Sequence, residues 1–185
     1  VSHTLGVYCV VAVVACDDGR VEKLGGGFTV LACILWDGRP LDVELSLLRV
    51  DGLEASSVVA YLTASLALRS SLSIRALLLD SLTIAGFNIV SPATVTKLTG
   101  VPVVVVYKYK PSSSRLEGAL RKHFRDWSLR MRVLKLVDEA VEVNTRRGPL
   151  YIIPWGMSIE EAKWVIEETQ VYARTPEPLR IADMI

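Results

Sequence analysis

The chain has 185 residues, enough for one domain of ordinary size, and 51% of them are apolar, so it can bury a full core. Charged residues make up 22% and the net charge is +1, which excludes a disordered acidic tail and a histone-like basic protein. The longest apolar runs, residues 5–16 and 28–36, are shorter than the roughly 18 residues that cross a bilayer. With no basic signal-peptide start, we expect a soluble, cytoplasmic protein with no membrane partner.

The first part of the chain predicts a three-stranded antiparallel meander followed by a helix. A valine-rich run over 7–15 is typical of a buried strand, and residues 28–36 form a second apolar run. Asp37-Gly38 indicates a hairpin that leads to a third strand over 41–50. Apolar residues at helical spacing then predict a helix over 55–68.

The second part alternates strands and helices. Strands are predicted over 74–79 and 101–107, and Ser91-Pro92 predicts the start of a helix that ends at residue 98. Capping boxes at Ser114 and Ser158 predict helices that run to residue 134 and to about residue 173, with a small hairpin over 141–153 between them. This order predicts one α/β domain over residues 1–185, with a mixed sheet flanked by helices, as in a ribonuclease-H-like fold.

Three cysteines, Cys9, Cys16 and Cys33, lie within apolar runs and lack the spacing of metal ligands. An odd number of cysteines in such positions favours buried free thiols in a reducing compartment. We therefore expect no disulfide.

Asp17 and Asp80 are the first acids after two runs that are apolar enough to be buried strands. If those strands are neighbours, the two carboxylates converge at one edge of the sheet and oppose each other's ionisation unless a cation lies between them. Oxygen ligands of this kind suit Mg²⁺, which keeps several waters. The alternative is that both residues only form turns or cap helices.

Two further acids, Asp51 and Glu54, flank the start of the helix predicted over 55–68. Either residue can cap that helix as a structural acid, and either can supply a third metal ligand. The residues alone do not choose between them.

Basic residues are concentrated in one segment. Residues 108–135 contain nine basic and two acidic residues, a formal charge of +7, so the rest of this +1 chain carries −6. The segment is either a solvated helix face or a track for a phosphate backbone. His123 lies in it and is interpreted as a surface or packing residue, and the sequence has no P-loop or nucleophilic triad.

Four blocks of the sequence share a pattern with one known family. They are residues 15–19 (ACDDG), 50–55 (VDGLEA), 79–88 (LDSLTIAGFN) and 174–183 (RTPEPLRIAD). Together they resemble the signature blocks of the archaeal endonuclease dU family, which is related to endonuclease V, and the resemblance covers essentially the whole chain. It departs from the family at Ser81, where glycine is usual, and the Pro-Tyr-Ile-Pro wedge of endonuclease V is absent.

The resemblance implies a ribonuclease-H-like core and Mg²⁺-dependent cleavage of DNA at deaminated bases, deoxyuridine in particular. By position, Asp17 and Asp80 match the two metal-binding aspartates. Glu54 matches the acidic residue before the first core helix, with Asp51 as the competing candidate. Lys108 matches a lysine that contacts the scissile phosphate, and Asp183 matches a position near the metal-bound water.

The predicted function is that of an endonuclease that uses Mg²⁺ or Mn²⁺ to cleave DNA containing a deaminated base. The base is expected to leave the stack, with Asn88 as a candidate contact in its pocket. The predicted contacts to the nucleic-acid backbone are Lys108, Lys110, Arg115, Arg121, Lys122 and Arg125. The alternatives are a non-catalytic nucleic-acid-binding protein on the same fold and a phosphohydrolase for small phosphates.

Overall fold

The computed structural model describes residues 11–19 and 26–185. Nine strands are found in these residues. In chain order they are β1 (Val13–Asp18), β2 (Phe28–Trp36), β3 (Pro40–Arg49), β4 (Ala76–Leu79), β5 (Thr83–Ile84), β6 (Asn88–Ile89), β7 (Val103–Tyr107), β8 (Val141–Thr145) and β9 (Gly148–Trp155).

Six α-helices accompany the strands in the described residues. They are α1 (Ala55–Ser70), α2 (Pro92–Thr99), α3 (Ser113–His123), α4 (Trp127–Leu134), α5 (Ile159–Thr169) and α6 (Glu177–Ala182). A 3₁₀ turn over Lys135–Glu139 follows α4. No helix in the described part of the chain is both long enough and apolar enough to cross a membrane.

Seven of the strands form one mixed sheet in the order β3-β2-β1-β4-β7-β9-β8, and β5 and β6 form a separate small hairpin. Strands β1, β4 and β7 at the centre are parallel to one another, and the flanking pairs are antiparallel. The predicted meander and the mixed α/β fold class, a ribonuclease-H-like sheet flanked by helices, are thereby confirmed.

Each face of the sheet is covered by its own hydrophobic core, because successive side chains of a strand point to opposite faces. In β1, Val14 and Cys16 belong to the core shared with α1, whereas Val13 and Ala15 belong to the core shared with α5. Every one of these four side chains is fully buried. This double burial explains why β1 has an uninterrupted apolar sequence.

The first predicted strand is displaced toward the C-terminus in the structure. It was predicted over 7–15 and is found over Val13–Asp18, with residues 11 and 12 outside it and residues 7–10 outside the described part of the chain. The displacement has a consequence for the site, because it places Asp17 within the sheet and beside the end of β4.

The prediction of one continuous helix from Ser114 to residue 134 is wrong, because the structure has two helices, α3 and α4, in this segment. Phe124 leaves the helical conformation (φ −129°, ψ 126°), and its ring packs edge-on against Phe87 with centroids 5.4 Å apart. The capping box at Ser114 is absent because α3 begins two residues earlier, with Ser112 at its N-cap position, and Glu117 pairs with Arg121 instead. The capping box at Ser158 is confirmed, although its helix ends at Thr169.

The expectation of free thiols is wrong for two of the three cysteines. The antiparallel register of β1 and β2 pairs Cys16 with Cys33, and the two form a disulfide with their Cα atoms 4.1 Å apart. Disulfides also occur inside the cells of hyperthermophilic organisms, so an intracellular location does not by itself imply free thiols. Cys9 lies outside the described residues.

Candidate active site

The parallel strands β1, β4 and β7 end at the same edge of the sheet, and each brings one charged residue there. Cys16 pairs with Leu79 in the register of β1 and β4, so the next residues, Asp17 and Asp80, are neighbours across the strands. Lys108 directly follows the last residue of β7. The sheet therefore brings together three of the predicted site residues.

A pocket of about 250 Å³ opens at this edge. Its charged lining residues are Asp17, Asp80, Lys108, Arg180 and Asp183. Arg180 lies in α6, which packs across β1 and β2, and Asp183 directly follows that helix. Residues far apart in the chain thus meet in one site.

The register of β1 and β4 places Asp17 and Asp80 side by side, and their carboxyl groups are close enough to affect each other's pKa. Burial, followed by repulsion from Asp80, raises the pKa of Asp17 to about 8. Although Asp80 as a residue keeps solvent exposure, desolvation of its carboxyl group, followed by repulsion from Asp18, raises its pKa to about 6. The pair strongly favours a bound proton or a cation over two free negative charges.

Two more carboxylates add negative potential. Asp183 at the end of α6 is exposed at the pocket and raises the pKa of both Asp17 and Asp80. Burial raises the pKa of Asp18, although the backbone of Ala85 partly offsets this effect. Asp18 was not predicted as a site residue, although its position next to Asp17 in the sequence was a signal for it.

Positive and neutral groups complete the pocket. Lys108 is exposed and lowers the pKa of Asp80. Arg180 is held by Glu177, whose carboxylate accepts from Nε and Nη2 at 3.1 and 3.2 Å. The hydroxyl of Tyr107 accepts from the backbone N–H of Leu82, and burial raises its pKa to about 12, so it stays protonated at neutral pH.

Glu54, the predicted third ligand, is not among the residues that line this pocket. Its two carboxylate oxygens accept hydrogen bonds from the backbone N–H groups of Arg49 and Leu53, both at 2.9 Å. Burial opposes its ionisation, but these bonds outweigh burial and hold its pKa below the usual value. A Cβ at position 52 would collide with this carboxylate, which explains the glycine.

The competing candidate, Asp51, takes part in the same network. Its carboxylate accepts from the backbone N–H of Phe87 at 2.7 Å, and its own N–H donates to Ala85. Its backbone adopts the left-handed conformation (φ 61°), which is unusual for a residue other than glycine. In the structure, both candidate acids hold neighbouring loops together.

Asn88 is fully buried, so the predicted contact with a nucleic acid is not possible in this conformation. Its Oδ1 accepts from Ala55 at the start of α1, and its Nδ2 donates to the carbonyl of Arg49. The signature residues Gly86-Phe87-Asn88 thus serve the fold, because they fix the β5–β6 hairpin to the start of α1.

Arg130 was counted among the basic residues of segment 108–135 but is buried. Its guanidinium donates to the carbonyls of Asp51, Gly52 and Phe87 at 2.6–3.0 Å and pairs with Asp126. Sequence reasoning missed this structural role, since the residue looks like any other cation on a surface helix.

The other cations of the segment are available at the surface. All six residues predicted to contact the nucleic-acid backbone are exposed, namely Lys108, Lys110, Arg115, Arg121, Lys122 and Arg125. Arg121 also lies over the ring of Trp127 at 3.9 Å. Lys108 lines the pocket, and the other five follow it in the chain, before, within and just after α3.

A family model described as endonuclease dU matches residues 10–185, nearly the whole chain. The chain belongs to the endonuclease dU family. This membership places it among nucleases that act on DNA, and it confirms the resemblance found in the four sequence blocks.

Two relatives of this endonuclease dU chain lie in archaeal genomes. A UPF0215 protein of Aeropyrum pernix is 54% identical over 173 residues, which cover 90% of this chain and 91% of that protein. A UPF0215 protein of Pyrococcus horikoshii is 34% identical and covers 95% of this chain and 90% of its own length.

Solved structures show that the endonuclease dU fold is shared more widely. A protein of unknown function from Archaeoglobus fulgidus has a TM-score of 0.77 at 23% identity and covers 93% of this chain and 94% of its own. Ciona intestinalis endonuclease V, solved with a 24mer DNA containing an inosine followed by a ribo-adenosine, has a TM-score of 0.60 at 14% identity. That alignment covers 96% of this chain and 84% of the other, and the likeness is one of fold.

Proposed function

We propose that this chain is an endonuclease that requires Mg²⁺ or Mn²⁺ and cleaves a phosphodiester of DNA at or near a deaminated base, deoxyuridine foremost. The observation that carries the proposal is the adjacency of Asp17 and Asp80 at the ends of neighbouring parallel strands, where both line one pocket. Such a pair has a strong electrostatic preference for a cation, and membership of a nuclease family supplies the reaction class.

The donor set of the pocket fits a hard divalent cation. The described residues contain no cluster of three or more His, Cys, Asp or Glu side chains that encloses a metal. Mg²⁺ keeps most of its waters and needs only one or two carboxylates, which Asp17 and Asp80 would supply. A bound ion of this kind would make water a better nucleophile and offset the charge that develops on the phosphate.

We assign the role of the third acidic residue at the metal site to Asp183 in preference to Glu54 or Asp51. Asp183 lines the pocket, whereas the carboxylates of Glu54 and Asp51 accept hydrogen bonds from backbone groups elsewhere. In our proposal, the Asp183 carboxylate accepts a hydrogen bond from the attacking water and orients it toward phosphorus.

Cations of the chain handle the negative charge of the substrate. The ammonium of Lys108 donates to a non-bridging oxygen of the scissile phosphate, where charge builds as the water attacks and a bridging oxygen departs. The exposed cations Arg121, Lys122 and Arg125 neutralise neighbouring phosphates and position the duplex. A deaminated base pairs weakly and costs less to unstack, which favours cleavage beside it.

The direct test is cleavage of DNA duplexes that contain uracil, inosine or only normal bases, with Mg²⁺, Mn²⁺ or EDTA. We expect cleavage at the uracil with either metal and none with EDTA. Asp80→Asn should keep the fold and lose at least about 100-fold in kcat/KM, since it removes a direct metal ligand. The matched control is Asp37→Asn in the β2–β3 turn, which should cleave like the natural protein.

Two other outcomes correspond to the alternative functions. Salt-sensitive DNA binding that is indifferent to EDTA and leaves the strands intact would indicate a non-catalytic binding protein. Turnover of free dUTP without cleavage of polymer would indicate a small-molecule phosphohydrolase. Full activity of Asp80→Asn would contradict the metal role of this residue.

A further inference from the structure

A second cavity, of about 220 Å³, adjoins the pocket that is lined by Asp17 and Asp80. The two share Tyr107 as a common wall, and adjacent residues divide between them. Asp80 lines the pocket while Ser81 lines the cavity, and Tyr109 lines the pocket while Lys110 lines the cavity. Because consecutive Cα atoms are about 3.8 Å apart, a nucleotide whose phosphate is held at Asp80 has its base within reach of this cavity.

The cavity has a polar side and an apolar side. Ser81 and Thr83 form a hydroxyl pair at 2.9 Å, and the Ser81 hydroxyl also accepts from the backbone N–H of Thr83 at 3.0 Å. Lys110 and Arg115 add two cations, and among the described residues that line the cavity none carries a carboxylate. The apolar walls are Pro111, Leu116 and Leu134.

This combination suits a nucleobase better than a phosphate. A phosphate gains nothing from apolar walls, whereas a base has two apolar faces and a polar edge. The volume equals that of about seven waters at about 30 Å³ each, which is room for one base.

We propose that this cavity receives the base of the nucleotide at which the chain acts, and that Lys110 and Arg115 select a base edge with carbonyl oxygens. The inference rests on the proposed function and adds to it the residues that recognise the base. Lysine and arginine side chains donate hydrogen bonds and cannot accept them. They can therefore pair with O4 of uracil, but they face the N4 amino group of cytosine with a donor against a donor.

The test compares duplexes whose target position carries uracil, cytosine or no base, each opposite a tetrahydrofuran residue so that base pairing does not contribute. The variants are Lys110→Gln and Arg115→Gln, whose amides can accept from the cytosine amino group. The matched control is Lys97→Gln, which removes an exposed cation of α2.

We expect the natural protein to cleave the uracil duplex with the highest kcat/KM. Each glutamine variant at the cavity should lower the uracil-to-cytosine ratio of kcat/KM by about tenfold or more, the loss typical of one charge-assisted hydrogen bond. Lys97→Gln should keep the ratio. An equal loss on all three duplexes, which leaves the ratio unchanged, would mean that these cations contact the backbone and would overturn the inference.

A second readout separates this inference from the proposed function. In EDTA, 2-aminopurine placed beside the target base brightens when that base leaves the stack. The inference is supported if the fluorescence increase is larger for uracil than for cytosine and this difference is lost in Lys110→Gln and Arg115→Gln. This result would support the cavity even if no duplex is cleaved, and in that case only the proposed function fails. Equal signals for the two bases in the natural protein would overturn the assignment of the cavity.

Discussion

Burial is the main reason why the pKa values of Asp17 and Asp80 are raised, and it is reinforced by the charge of Asp80 at Asp17 and by the charges of Asp18 and Asp183 at Asp80. The same groups would be stabilised by a divalent cation. Their protonation and their metal affinity are therefore two expressions of one electrostatic feature.

This feature makes the stability of the metal-free protein depend on pH. The folded-state pKa values of about 8 for Asp17 and about 6 for Asp80 lie above the ordinary value of 3.8. Folding therefore takes up protons at any pH between the ordinary value and the raised value of each group. The stabilisation is complete below about pH 4 and is lost as the pH rises through 6 to 8. In EDTA, we expect the Tm of the natural protein to fall over this range more steeply than that of Asp17→Asn, as measured by circular dichroism. Equal pH slopes would contradict this explanation.

Arg130 supports the signature loops at the level of a single residue. It supplies the donors for three carbonyl groups and lies against the ring of Phe124 at 4.5 Å. Arg130→Met should lower the free energy of unfolding by about 3–5 kcal/mol, because those carbonyls and Asp126 lose their partner. Urea unfolding measures this loss. The control is Arg132→Met, which removes an exposed arginine of the same helix. A similar loss of unfolding free energy in this control would contradict the role assigned to Arg130.

At the level of elements, the sequence predicted the central strands well because their burial on both faces requires continuous apolar runs. Residues 28–36 were predicted and found as β2 without any displacement. The break between α3 and α4 was not predictable, since it depends on the contact of Phe124 with Phe87 from another part of the chain. Likewise, α6 has only six residues, too few for a periodic pattern.

The disulfide joins β1 to β2 one residue before Asp17. The disulfide joins residues 17 positions apart and closes a loop, which restricts the conformations of the unfolded chain. The double variant Cys16→Ala, Cys33→Ala should therefore lose about 2–4 kcal/mol of unfolding free energy. A reducing agent should lower the Tm of the natural protein and leave that of the double variant unchanged. Equal sensitivity of the two proteins to reduction would contradict a stabilising link.

For the molecule as a whole, charge is separated between the basic segment 108–135 and an acidic remainder. The sequence predicted this separation and the convergence of Asp17 and Asp80, because charge counts and strand ends are local properties, while the place of Lys108 beside them was implied by the family resemblance. It did not predict that Glu54 and Asn88 would be held by backbone groups, or that Arg130 would be buried. Those outcomes depend on how three distant loops pack together.

The exposed cations of α3 and of the turn that follows it predict salt-dependent DNA binding. Each phosphate contact adds about −0.9 to the slope of log K against log salt concentration. Lys122→Gln and Arg125→Gln should each make the slope less negative by about 1, with little change in sequence preference. Fluorescence anisotropy over a salt series measures this, with Lys97→Gln as the control. Unchanged slopes would exclude these two residues from the DNA-binding surface.

A divalent cation held by Asp17 and Asp80 is central to the proposed activity, and anomalous scattering from a crystal soaked in Mn²⁺ tests for it most directly. We predict one strong peak coordinated by both carboxylates, with Asp183 nearby, and its loss in crystals of Asp80→Asn. A peak beside Glu54 or Asp51 instead, or no peak at the strand ends at saturating Mn²⁺, would contradict it.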